Sequence, residues 1–88
     1  MERVPLGNSS LQVSRLCLGT WNMAGSEGWG PADDEQSIRV IRQVMDAGCN
    51  FIDSAHGYGR GHSEEVLGRA LGGRRDEAIV ATKIVQCD

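Results

Sequence analysis

Apolar residues along the 88-residue chain follow two alternating rhythms, a period of two and a helical spacing. Val4 and Leu6 precede Gly7-Asn8, and Leu11 and Val13 follow it, so a two-residue alternation broken by a turn-forming pair predicts a short hairpin over 4–13. Arg15-Leu16-Cys17-Leu18, closed by Gly19, suits a brief buried strand. A glycine-rich loop over 25–31 then leads to Asp33 and Asp34, either of which can cap a helix, with Glu35 and Gln36 in its first turn. Ile38, Ile41 and Met45 form one stripe of that helix with Val44 beside them, and Gly48 offers the left-handed stop. Cys49–Asp53 reads as a second short strand, followed by a loop carrying Gly57, Gly59 and Gly61. Ser63 is placed to cap the next helix. Glu64 and Glu65 suit the positive end of its dipole, Val66, Leu67, Ala70 and Leu71 give its apolar face, and Gly72-Gly73 ends it near Arg74 and Arg75. Ala78–Ile84 is a third strand, β-branched and apolar on both faces until its end, as strands of a parallel sheet are.

Strand, helix, strand, helix, strand is the order of an α/β protein built from right-handed crossovers. Both a doubly wound sheet and a (β/α)8 barrel satisfy it. With no internal repeat, low-complexity tract or linker, residues 1–88 are expected to be one unit of one domain.

Composition narrows the function classes. An apolar content of 40% and a charged content of 24% are ordinary for a globular domain. The net charge is -3, and the nine Lys and Arg are scattered, which gives nucleic acid or an anionic membrane no basic stripe to bind. No apolar run approaches the length of a membrane span, and Met1-Glu2-Arg3-Val4-Pro5 leads into no signal-peptide core, so a cytoplasmic location is expected. Cys17, Cys49 and Cys87 are odd in number and lack CxxC or Cys/His spacing, which argues against a disulfide framework or a zinc site. They are expected to be buried thiols.

In a barrel the site forms where strands end at their carboxyl side, so the polar residues that close each apolar run carry the information. Those residues are Gly19-Thr20-Trp21, Asp53 and Lys83, with Tyr58 arriving from the loop after Asp53. Any one of them alone reads more readily as a turn former or a solvated charge. Lys83, however, interrupts the apolar run Ile79–Val85, and a lysine in such a place needs a partner, for which Asp53 is the obvious candidate. The glycines of Gly57-Tyr58-Gly59-Arg60-Gly61 do not make a dinucleotide fingerprint, because His62 falls where the third glycine of G-x-G-x-x-G belongs. They are expected to let the loop turn sharply and present Tyr58. No Walker pattern, zinc-protease motif or nucleophile elbow occurs.

Phe51-Ile52-Asp53-Ser54-Ala55, Tyr58-Gly59, Gly61, Ser63-Glu64 and Leu67-Gly68 resemble the aldo-keto reductase signature, and Ala81-Thr82-Lys83 is similar to the third-strand motif of that family. Leu18-Gly19-Thr20-Trp21 resembles its first-strand segment, and the leading hairpin fits the one that plugs the barrel bottom there. The match covers almost the whole chain. Ser54 stands where Thr is common, a mild departure between two small hydroxyl residues. The catalytic His expected at the end of a fourth strand has no counterpart, and His56 and His62, both in the second loop, are not substitutes for it.

The resemblance implies the amino-terminal part of a TIM barrel, about three β/α units after a hairpin. It further implies reversible hydride transfer from a nicotinamide dinucleotide, NADP with NAD possible, to a small-molecule carbonyl. Tyr58 is then the proton donor. A tyrosine's reference pKa of about 10 is too high for easy exchange near neutrality; a lysine ammonium held close favours the phenolate, and a carboxylate holds that lysine in place. Tyr58, Lys83 and Asp53 are therefore the expected catalytic unit. Gly19, Thr20 and Asp53 are expected on the cofactor, and Trp21 and Trp29 along the substrate pocket.

A complete barrel needs eight strands and about 250 residues, so residues 1–88 on their own are expected to be inactive. Two rivals stand beside this reading: a non-catalytic cofactor-binding subunit of the same fold that regulates a partner, and a flavodoxin-like binding module. The latter needs phosphate-cradling residues after the first strand, and Thr20-Trp21-Asn22-Met23 supplies few.

Overall fold

The computed structural model describes residues 1–25 and 31–84. Strands β1 (Arg3–Pro5) and β2 (Gln12–Ser14) form an antiparallel hairpin, with Val4 opposite Val13. Its turn is closed by the Leu6 amide on the Leu11 carbonyl at 3.0 Å, with Gly7 at φ 58°. Strands β3 (Leu18–Gly19), β4 (Phe51–Asp53) and β5 (Ile79–Ala81) make a separate parallel sheet in the order β3-β4-β5. Helix α1 (Asp34–Asp46) joins β3 to β4, and α2 (His62–Ala70) joins β4 to β5. The α/β order read from the apolar rhythm is thus the order observed.

The strands are shorter than the apolar runs that predict them, because the ladder between neighbours closes early. Parallel pairing nevertheless continues past β4 and β5: the Ser54 amide donates to the Ala81 carbonyl at 2.8 Å and the His56 amide to the Lys83 carbonyl at 2.9 Å. The extended backbone therefore reaches Lys83.

Asp33 caps α1, its carboxylate accepting from the amides of Glu35 and Gln36. Ile38, Ile41 and Met45 lie buried on that helix, and over Ile52 they meet Val66, Leu67 and Ala70 from α2 and Leu71 just past its end. Leu18 and Val80 pack against this cluster from either side of β4. The helices therefore cover one face of the sheet. By the two-residue alternation of a strand, Cys17, Gly19, Phe51, Asp53, Ile79, Ala81 and Lys83 belong to the other.

The hairpin is tied to the amino end of β4. Asn50 is the link: its Oδ1 accepts from the Ser14 amide at 2.7 Å and its Nδ2 donates to the Gln12 carbonyl at 2.9 Å. The hairpin thus lies at the end of the sheet remote from Asp53.

Two expectations need correction. Ser63 does not cap α2: it is inside the helix, Gly61 at φ 92° occupies the N-cap position, and the Ser63 hydroxyl goes elsewhere. The cysteines are not uniformly buried. Cys49 is buried, whereas Cys17 is exposed, because it precedes β3 on the sheet face that no helix covers. Burial against the strand, then Asp53 and Cys49, push the Cys17 thiol up, against a smaller opposing effect of Lys83. Cys87 and Trp29 lie outside the described residues.

Candidate active site

The strand ends bring the expected residues together. Register places Gly19 beside Asp53 and Asp53 beside Ala81, so the extended residues beyond Ala81 carry Lys83 to the level of the Asp53 side chain. There the Lys83 ammonium donates to both Asp53 carboxylate oxygens, at 3.0 and 2.9 Å, and to the Ser54 carbonyl at 2.8 Å. The Lys83 side chain is 51% exposed and that of Asp53 38%, so the pair is open to a mouth and is not sealed in a core.

Tyr58 completes the trio. Its loop is folded on itself, the Tyr58 amide donating to the Ala55 carbonyl at 3.1 Å. Gly59 follows at φ 66°, and a Cβ there would lie 2.7 Å from the Ala24 carbonyl oxygen, so a glycine is required where the loop crosses the chain after β3. The phenol ring stands with the Lys83 ammonium 5.2 Å from its centroid. The Lys83 ammonium is held above its ordinary value of 10.5, chiefly by hydrogen bonding to Asp53 and also by the Tyr58 hydroxyl, against some desolvation. Tyr58 also stacks with Trp21, with ring centroids 6.3 Å apart and planes inclined by 30°.

Not every expected residue faces the mouth. Gly19 is exposed, whereas Thr20 is wholly buried. The Thr20 hydroxyl donates to the Asp53 carbonyl at 3.1 Å and accepts from Ser63 at 2.8 Å. His56 places Nδ1 3.6 Å from Glu64, which also accepts from Thr82, and His62 Nε2 sits 2.9 Å from Asp34 between the first turns of the two helices. Neither histidine joins the trio. Sequence reasoning missed Ser63 and the Ser54 carbonyl as supports of the site. The available signal was the row of small hydroxyl residues, Thr20, Ser54 and Ser63, at strand ends and helix start.

The arrangement joins an acid hydroxyl, a fixed cation and a carboxylate at one rim, which is equipment for moving one proton to or from a bound oxygen. Among the described residues no group of three or more His, Cys, Asp or Glu is placed to hold a metal ion, and no helix is long and apolar enough to cross a membrane.

A model of the aldo/keto reductase family matches residues 15–88. The chain is 42% identical over 85 residues to the aldo-keto reductase YhdN of Bacillus subtilis, and the match covers 94% of this chain and 25% of that protein. It is 39% identical over 85 residues to the NADH-specific methylglyoxal reductase of Escherichia coli, covering 94% of this chain and 26% of the relative. A probable voltage-gated potassium channel subunit beta of Oryza sativa is 37% identical over 87 residues, with 96% and 25% covered. Among solved structures, a thermostable aldo-keto reductase in complex with the inhibitor epalrestat superposes with a TM-score of 0.81 at 32% identity, over 96% of this chain and 31% of that one. An aldo-keto reductase from Klebsiella pneumoniae in complex with NADPH gives 0.71 at 32% identity, over 81% and 24%. The chain spans about a quarter of the length of the curated relatives it matches. Its sheet and helices are the amino-terminal portion of a (β/α)8 barrel, which decides between the two architectures that the order of elements left open.

Proposed function

The chain belongs to the aldo-keto reductase family, and from that membership we propose that these residues serve a barrel that reduces small aldehydes or ketones to alcohols with NADPH or NADH. The observation that carries the proposal is the ammonium of Lys83, bonded to both oxygens of Asp53 and set beside the Tyr58 ring. The structures and names of the relatives include both cofactor forms, NADPH in the Klebsiella enzyme and NADH in the Escherichia coli reductase.

The residues present suit a nicotinamide in part. Gly19 is exposed at the strand end and carries no side chain, and the partly exposed Asp53 carboxylate stands next to it in register. These two would border the ring, with Thr20 contributing from beneath by fixing Asp53. When bound, the dinucleotide supplies the hydride. Tyr58 then gives its hydroxyl proton to the carbonyl oxygen as negative charge develops there. The Lys83 ammonium stabilises the phenolate left behind, and Asp53 holds that ammonium in place and keeps it charged. Trp21, stacked beside Tyr58, forms a wall of the substrate site, and Trp29 is assigned to the same wall from its place in the sequence. A cytoplasmic location suits a nicotinamide-dependent reductase of this composition.

Residues 1–88 by themselves are proposed to lack turnover, since three parallel strands do not close a barrel and the phosphate-binding loops of this architecture follow strands seven and eight. The similarity to channel β subunits favours a second reading, a cofactor-binding regulatory subunit with the same trio. Carbonyl turnover by the whole protein separates the two.

The test is Tyr58→Phe in a complete barrel carrying these residues. Carbonyl reduction should fall about 10²- to 10⁴-fold, the usual contribution of a positioned acid, while cofactor affinity read by fluorescence quenching stays the same. Turnover equal to the parent's would remove Tyr58 as the donor.

A further inference from the structure

Behind the trio lies a row of hydroxyl groups bonded to one another. Ser63, Thr20 and Ser54 are at most 1% exposed. The Ser63 hydroxyl reaches Thr20 Oγ1 at 2.8 Å and the Thr20 carbonyl at 2.9 Å, and it receives the Ser54 hydroxyl at 3.4 Å. Thr20 donates in turn to the Asp53 carbonyl at 3.1 Å from its hydroxyl and at 3.1 Å from its amide. Each hydroxyl has one proton to give. The order Ser54 to Ser63 to Thr20 to the Asp53 carbonyl uses each proton once, and such a chain strengthens along its length when water is excluded.

Ser63 also reaches the trio from a second direction. Its backbone amide donates to the Tyr58 carbonyl at 3.2 Å. One residue therefore holds the peptide of the phenol-bearing loop through its amide and the end of β4, by way of Thr20, through its hydroxyl. The Ser54 carbonyl that accepts from Lys83 belongs to the same strand end.

We propose that Ser63 is a positioning residue for proton transfer, setting Tyr58 in register with Asp53 and Lys83. The inference rests on Tyr58 being the donor. Ser63→Ala keeps the amide bond to Tyr58 and removes the hydroxyl link to Thr20, so it uncouples the two halves of the site while leaving the helix intact.

The experiment compares variants in a barrel completed with the carboxyl-terminal portion of an aldo-keto reductase relative. Ser63→Ala is expected to lower kcat about ten- to a hundredfold, the cost of a small misplacement of reacting groups, with KM for carbonyl and cofactor little changed. Its pH profile should differ from the parent's, since phenol and ammonium no longer meet in the same register. Ser63→Thr, which keeps the hydroxyl, should recover most of the loss. If its added methyl prevents folding, Thr20→Val removes the middle hydroxyl without adding volume and should reproduce the Ser63→Ala signature. Arg42→Ala is the control: Arg42 ties α1 to the carbonyls of Arg69 and Ala70, away from the trio, and its loss should lower Tm with kcat intact. Parent-like kcat and pH profile in Ser63→Ala, or a kcat loss matched by Arg42→Ala at equal Tm, would overturn the proposal. If the parent barrel reduces no carbonyl, the assigned activity fails on its own. The nitrogen resonance of the Lys83 ammonium and the ring resonances of Tyr58 still report on the coupling: both should move in Ser63→Ala, and unmoved resonances would refute it.

Discussion

The Lys83 ammonium bonds to both oxygens of Asp53 and to the Ser54 carbonyl although half of its side chain meets solvent. An ion pair so open adds little to stability, so its geometry is better explained by chemistry at the rim. Because Asp53 above all raises the Lys83 ammonium above 10.5, the sign of the pH dependence follows. The ammonium's part of the pairing is fully present below pH 10.5 and is lost as pH rises through the higher value of the folded state. Turnover of a complete barrel should therefore show no Lys83-dependent loss near neutrality, and Asp53→Asn should bring its alkaline limb to lower pH; a limb that Asp53→Asn leaves in place would contradict the pairing. Asp53 and Lys83 were legible in the sequence because a charge interrupting an apolar run demands a partner. Ser63 was not: its type and place are those of a helix cap, and only the fold shows Gly61 in that position and the Ser63 hydroxyl on Thr20. Cys17 was misread for a related reason, since an apolar run does not say which face of its strand a helix will cover.

Among the elements, α1 and α2 were the most legible, because four or more apolar positions at helical spacing leave little choice of face. Ile41 is fully buried between them. Ile41→Ala should cost about 2–5 kcal/mol in a complete barrel, read as a lowered denaturant midpoint, and a loss well under that would mean the helices pack differently. Asp33→Ala should cost about 1 kcal/mol by removing the acceptor for two amides of α1. The loop bearing Tyr58 was legible only as a turn. Its need for Gly59 comes from the chain after β3, so Gly59→Ala combines an unfavourable φ with a contact of 2.7 Å to the Ala24 carbonyl. That variant should lose activity out of proportion to stability. The strand limits were least legible, since a ladder ends where its neighbour does.

At the scale of the whole fold, the parallel sheet of the described residues has one face covered by helices and the other, with Phe51, Ile79 and Ala81, only partly buried. Leu16 is 66% exposed and Ile84 93%. Expressed alone, these residues should bind a hydrophobic dye strongly and self-associate, and a monomer with a sharp unfolding transition and no dye binding would show that the open face is tolerated. The barrel itself was legible through the motifs at the strand ends more than through the order of elements, which a doubly wound sheet shares. What those strand ends do together is the central claim, and a double-mutant cycle on Tyr58→Phe and Lys83→Met in a complete barrel tests it most directly. If phenol and ammonium act as one unit, the double variant should lose about as much kcat as the worse single variant. Losses that multiply would mean that the two residues act independently, and would contradict the account.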